Sequence, residues 1–412
     1  MNEQEGKTTM IIATHRLSRR SVLAAGAAGA ALLAAPAVVR AQAQPIRLGS
    51  LTPLTGAGGA YGPRMRDAIA AVVNEVNAAG GVRGRPLQLV TEDDQTSPEA
   101  AVRAARKLID VDRVAAVMGT WASSVTTAVA PLCWENRVSL FTVSGADSIT
   151  LLPHQGYIFR TQPNSRLQMR TVAKFAVDEG AQRIAWMGPQ TPFAQSSIEE
   201  FQQVAQAANR PFTSLIYEAD KATYRSEVDQ ILRARPDFIM FGGYTPDSIV
   251  LARDLFRAGY QGKVMAPAYA ISARMLEALP HEVTQGAMVY EPWPEVDSTA
   301  YSRLQRLLGS GVEVDPYTAQ TYDHANLAVM ALAIGGDGNG LAIKDNVRRI
   351  SQGGGQSVDN AVDGLKAIVA GQKVDYTGAS GPCDFTAEGD ITGTKFRYQR
   401  VDKGAFQVMK IA

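Results

Sequence analysis

Only two cysteines and four histidines occur in the 412 residues, and both shortages remove whole classes of chemistry. Cys133 and Cys383 can form at most one bridge, so no disulfide framework holds this chain together. Each sits among apolar residues, as inert buried thiols would. A single bridge is the alternative, since sequence spacing says nothing about Cα separation. His154, His281 and His324 are scattered singly, with no H-E-x-x-H and no metal-like clustering with cysteine. A G-x-S-x-G elbow and a Walker loop of full G-x-x-x-x-G-K-[ST] spacing are also missing. No nucleophile has a recognisable base, so no enzyme activity, metal or cofactor is expected. Excess charge of one sign is lacking too, with 41 basic against 40 acidic residues and no basic block. Nucleic acid and anionic membrane are therefore not expected partners.

Long apolar runs are equally scarce, and the one that stands out lies near the start. Arg19 and Arg20 precede a soft Ala- and Gly-rich stretch from Val22 to Val39, followed by Ala41-Gln42-Ala43. A charged region, an apolar region and an A-x-A signal make an export peptide, here of twin-arginine type. Cleavage is expected near Ala43 and the mature protein in the periplasm. A retained anchor is the alternative, although Ala, Gly and Pro36 make the run weakly apolar. The residues before Met10 resemble neither signal nor domain, which makes Met10 a candidate start. Removing the leader leaves 36 basic against 38 acidic residues, a net charge of about −2.

Beyond residue 43 the pattern alternates between short β-rich runs and amphipathic helices. Ile46 to Leu51 reads as a strand, and Met65, Ala68, Ile69, Val72, Val73 and Val76 then recur at helical spacing. Ser97-Pro98-Glu99 opens a second helix with an N-cap and an N1 proline. Strands at 87–91, 114–118 and 139–143 complete a repeated βαβ pattern, which implies a parallel sheet covered on both faces. The pattern restarts after 159–164, with strands at 184–187, 213–217, 238–241 and 264–266. Further strands are expected near 287–290 and as a closing hairpin, 396–401 and 406–411, around Asp402-Lys403-Gly404. A helix is expected from about 317 to 334, and the Gly-rich stretch 335–340 reads as a solvated turn. The fold class is thus α/β, with two lobes of similar size.

Small polar turns sit where strands end. Gly56 to Gly62 follows the first strand without fitting G-x-G-x-x-G, and reads as a flexible loop near a small ligand. Gly119-Thr120-Trp121-Ala122-Ser123-Ser124 opens a helix after the third strand. Its hydroxyls and free amides either favour a carboxylate or merely cap the helix. Phe141 to Asp147 ends the fourth strand, and Gly242 to Asp247 takes the equivalent place in the second lobe. Ligands of doubly wound sheets bind beyond the carboxyl ends of the strands, where these loops fall.

Together these pieces resemble the periplasmic solute-binding proteins of the branched-chain amino-acid (Leu/Ile/Val and amide) ABC-transporter family. The likeness rests on Leu51-Thr52-Pro53-Leu54-Thr55-Gly56, 77–84, Asp93-Asp94, 119–126, Phe159-Arg160-Thr161 and Tyr322-Asp323, in order. It implies a type I periplasmic binding fold: two Rossmann-like lobes joined by a three-crossover hinge and closing on a ligand. The lobes would be 45–164 with 292–380, and 165–291 with 381–412. It also implies a monomer that hands a small carboxylate-bearing solute, such as an amino acid, to ABC permease subunits. By the matched motifs, Ser123 and the Ala146 amide would hold the carboxylate. The Ser144 carbonyl and Asp247 would take the amine, with Asp247 as a helix N-cap the alternative. Tyr61, Trp121 and Ala122 would face the ligand, and Phe193 would close over it. Ala146, Phe193 and Asp247 stand where the family has threonine, tyrosine and glutamate, and Trp121 is bulkier than usual. Amides, urea and aromatic carboxylates stay open as ligands, as does a role as a sensor.

Overall fold

A computed structural model describes residues 44–309 and 313–412, so the expected leader lies outside the described residues. The first lobe is built on a five-stranded sheet of β1 (Ile46–Thr52), β2 (Leu87–Asp93), β3 (Ala116–Thr120), β4 (Ser139–Thr142) and β5 (Ile158–Arg160). Their order is β2-β1-β3-β4-β5 and every pairing is parallel. Parallel strands need crossover helices, and these are α1 (Gly62–Ala78), α2 (Pro98–Arg106), α3 (Ser123–Glu135) and the short α4 (Ser148–Leu151). The apolar spacing read over 65–76 is the buried face of α1. Ser97 caps α2 by accepting from the Ala100 amide at 3.4 Å.

The second lobe begins with α5 (Ser165–Asp178) and alternates β6 (Ile184–Pro189), α6 (Pro192–Ala207), β7 (Phe212–Tyr217), α7 (Arg225–Leu232), β8 (Phe238–Phe241), α8 (Thr245–Arg257) and β9 (Lys263–Pro267). Short helices α9 (Ala273–Ala278) and α10 (His281–Thr284) lead to β10 (Met288–Trp293). The chain then returns to the first lobe for α11 (Thr299–Leu308), α12 (Pro316–Gly335), α13 (Gly340–Ser351), β11 (Gln356–Val358), α14 (Ala361–Val369) and β12 (Val374–Tyr376). It ends in β13 (Lys395–Asp402) and β14 (Ala405–Ile411), the expected hairpin, which adds two antiparallel strands to the second sheet. That sheet runs β14-β13-β10-β9-β8-β6-β7.

Helix α12 is buried around almost its whole circumference, because α1, α13 and α14 cover it. Among the described residues no single helix is long and apolar enough to cross a membrane. The chain passes between lobes in the stretches 161–164 and 294–298, and a third time near the C-terminus. We place that last crossing at 392–394 rather than at 380–381, because Cys383, Phe385 and Ile391 pack in the first lobe's core. Cys133 and Cys383 are both buried free thiols, and burial alone pushes the Cys133 thiol up to about 12.

Candidate functional site

The carboxyl ends of both sheets border a small cleft, the place where doubly wound sheets bind ligands. Its walls come from the loops after β3 (Trp121, Ala122, Ser123), β4 (Val143, Gly145), β6 (Thr191, Phe193), β8 (Gly242, Tyr244) and β9 (Tyr269). Gln162 and Gln168, from the first crossing and α5, and Tyr317, from α12, complete it. The space is about 40 Å³, room for roughly three waters, so the lobes stand nearly closed. No Asp, Glu, Lys, Arg or His lines it among the described residues.

Backbone geometry sets the first-lobe wall. Gly119 has φ 97° inside β3, where the register with β4 skips a residue, and a Cβ there would stand 2.6 Å from Thr52 Cγ2. The irregularity tips the chain so that Trp121 faces the cleft. A buried hydroxyl network supports this turn. Thr126 Oγ1 lies 2.8 Å from Thr120 Oγ1 and 2.6 Å from Ser144 Oγ, and Ser144 Oγ donates to the Trp121 carbonyl at 2.8 Å.

Of the residues expected from sequence, Trp121, Ala122, Ser123 and Phe193 line the cleft. Ser123 does not cap α3. Ala122 is the cap residue and offers no side-chain bond, which leaves the first amides of α3 free at the cleft. Ser123 Oγ instead accepts from the Ala146 amide at 3.1 Å. Tyr61 stacks on Trp121 at 5.8 Å and lines an adjoining cavity that shares Gln168, Tyr269 and Tyr317 with the cleft. Ser144 and Ala146 form a layer beneath the lining, and their carbonyls accept from Arg160 Nη1 at 3.3 and 2.5 Å.

Asp247 points elsewhere. It is buried in the first turn of α8, where Oδ1 accepts from the Tyr224 hydroxyl at 2.6 Å and the Asp220 amide at 2.9 Å. It is neither the cap, a place taken by Tyr244, nor part of the lining. A more telling carboxyl is Asp94, fully buried, with Oδ1 accepting from the Thr96 amide at 2.7 Å and Oδ2 without a partner. Desolvation pushes it up to about 7, and its field reaches Tyr244 across the cleft.

Sequence reasoning missed Gln162, Gln168, Thr191, Tyr244, Tyr269 and Tyr317. Tyr244 lay inside the Gly242 to Asp247 turn already singled out, and Tyr269 follows the end of β9, so strand ends alone pointed to both. Tyr317 carried no local signal. These rings converge on Trp121, with centroids 5.5 Å away for Tyr244, 5.3 Å for Tyr269 and 5.8 Å for Tyr317. Trp121 and Tyr317 belong to the first lobe, Tyr244 and Tyr269 to the second, so both lobes contribute to the aromatic box. Gln168 Nε2 donates to the Pro163 carbonyl at 2.6 Å, which fixes the amide orientation and leaves Oε1 as its acceptor.

The sequence model of a family described as periplasmic binding protein matches residues 45–405. A chemotactic signal transduction system substrate-binding protein, BasB, from Halobacterium salinarum is 29% identical over 356 residues, covering 84% of each chain. Among solved structures, a leucine binding protein, LivK, from Thermotoga maritima superposes with a TM-score of 0.75 at 19% identity, covering 89% of this chain and 98% of that one. An ABC transporter solute binding protein from R. palustris, in complex with 4-hydroxybenzoate, gives 0.72 at 18% identity, covering 89% and 97%.

Proposed function

We propose, from the premise that this chain belongs to the periplasmic binding protein family, that it captures a small amine-free carboxylate between its lobes and delivers it to an ABC importer. The observation that carries this reading is the lining itself. Free amides at the start of α3 and the Ser123 hydroxyl favour an anionic oxygen. Trp121, Phe193, Tyr244, Tyr269 and Tyr317 offer flat apolar faces to the remainder of the ligand. An ammonium would meet no carboxylate in the cleft itself, Glu291 of the adjoining cavity is already held by Arg397, and an unpaired buried charge is costly. An aromatic monocarboxylate meets these chemical demands once the lobes part beyond the roughly 40 Å³ of space between them, and the R. palustris protein is a relative in fold that holds one. An α-amino acid, as the name of LivK would suggest, lacks its counter-charge here.

The mechanism is binding with lobe closure, without any bond made or broken. With the lobes apart, the acid docks on the α3 amides and lies against Trp121. Closure then brings Phe193, Tyr244 and Tyr269 over it, as in the hinge closure for which periplasmic binding proteins serve as a general example. Export by the residue 1–43 leader would place a monomer in the periplasm, facing permease subunits. BasB, a substrate-binding protein of a chemotactic system, favours a second reading, in which the same closure signals to a receptor.

The test is a melting-point panel on refolded protein with benzoate, 4-hydroxybenzoate, leucine, acetamide and urea. A ligand at a hundred times its Kd adds about 2.7 kcal/mol. Shifts with the aromatic acids and none with leucine are expected. A shift with leucine alone would overturn the amine-free assignment.

A further inference from the structure

Arg160 ends β5, immediately before the first crossing, and is fully buried. All five of its N–H donors are used. Nε and Nη2 reach Asp390 Oδ1 at 2.8 and 2.6 Å, and Nη2 also reaches Thr150 Oγ1 at 2.8 Å. Nη1 donates to the carbonyls of Ser144 and Ala146. Asp390 stands just before the last crossing, and its Oδ2 accepts from Asn164 Nδ2 in the first crossing at 2.9 Å and from Thr150 Oγ1 at 3.1 Å. The remaining carbonyl of the loop, that of Gly145, accepts from the amide and hydroxyl of Ser165 at 2.6 and 2.9 Å, where α5 begins. Every carbonyl from 144 to 146 is thus held by Arg160 or Ser165, the residues that flank the first crossing, while Gly145 faces the cleft and the Ala146 amide meets Ser123.

We propose that Arg160 is a positioning residue that, with Asp390, locks two of the three crossings to loop 143–147, so that hinge angle and the shape of the ligand wall are one equilibrium. A guanidinium suits this role because its planar fork fixes several acceptors at once, which an ammonium does not. Its burial makes the arrangement all or none, since a buried charge tolerates no missing partner. The inference rests on the reading of loop 143–147 as part of the ligand wall.

Hydrogen exchange on the ligand-free full chain tests it. Asp390→Asn keeps the shape but leaves Arg160 without its counter-charge, and Thr150→Val removes only the hydroxyl shared by both. In each variant, amides of 143–147 and of 161–165 should exchange together, about tenfold faster in Asp390→Asn. Those of β1 and β3 should keep wild-type protection. Faster exchange confined to 386–392, or spread evenly through β1 and β3, would overturn the coupling and leave a merely structural ion pair. The measurement uses no ligand, so a panel without a binder would sink the ligand class and leave this result standing.

Discussion

Replacing Ser123 by alanine removes the hydroxyl that both lines the cleft and touches the Ala146 amide. If Ser123 donates to a ligand carboxylate, the lost bond is of the charge-assisted kind, worth about 1.5–3 kcal/mol. At about 1.4 kcal/mol per decade, Kd should rise roughly 10- to 150-fold. Asp247→Asn makes the contrast. Its oxygen still serves the Tyr224 hydroxyl and the Asp220 amide, so Kd should stay within about threefold, because no ligand contact is lost. Stability should fall by no more than about 1–2 kcal/mol. Calorimetric titration of refolded wild type and both variants with benzoate or 4-hydroxybenzoate measures the two constants, and urea unfolding measures stability. A tenfold loss in Asp247→Asn together with an unchanged Kd in Ser123→Ala would refute the reasoning, because the second lobe's acid would then hold the ligand.

Gly145→Ala would place a Cβ 2.8 Å from Phe193 Cε2 and 3.0 Å from Gln168 Nε2. That clash bears on the closed state, so titration should show weaker binding while the ligand-free melting point changes little. Gly242→Ala would put a Cβ 2.1 Å from Trp186 Cζ2, in a ring that is fully buried. Urea unfolding should show a loss of about 1–3 kcal/mol. The Asp94 carboxyl, raised in the folded chain to about 7 from 3.8, contributes stability that is present below pH 4 and lost as pH rises through 7. The melting point of Asp94→Asn relative to wild type should therefore be higher at pH 8 than at pH 5, and an equal difference at both would contradict an ionising buried carboxyl.

The sequence by itself determined the layered α/β architecture, because helical and strand periodicities record which faces must be buried, and those demands are local. It marked the strand-end loops as the ligand zone for the same reason, since topology follows from the alternation of elements. The family resemblance, rather than periodicity, pointed to Trp121, Ala122, Ser123 and Phe193, which line the cleft on a turn or at the start of a helix. Only the tertiary structure decided which member of a turn faces inward. In the stretch 242–247 the phase of α8 aims Asp247 at Tyr224 and leaves Tyr244 at the cavity, and no composition rule distinguishes the two. Tyr317 reaches the site from a helix that returns to the first lobe after five strands of the second sheet have been laid down. Arg160 finds its counter-charge 230 residues away. Such partnerships form only when long loops have closed and distant surfaces have met, a cost borne by the packing of the entire domain and therefore not written in any short segment.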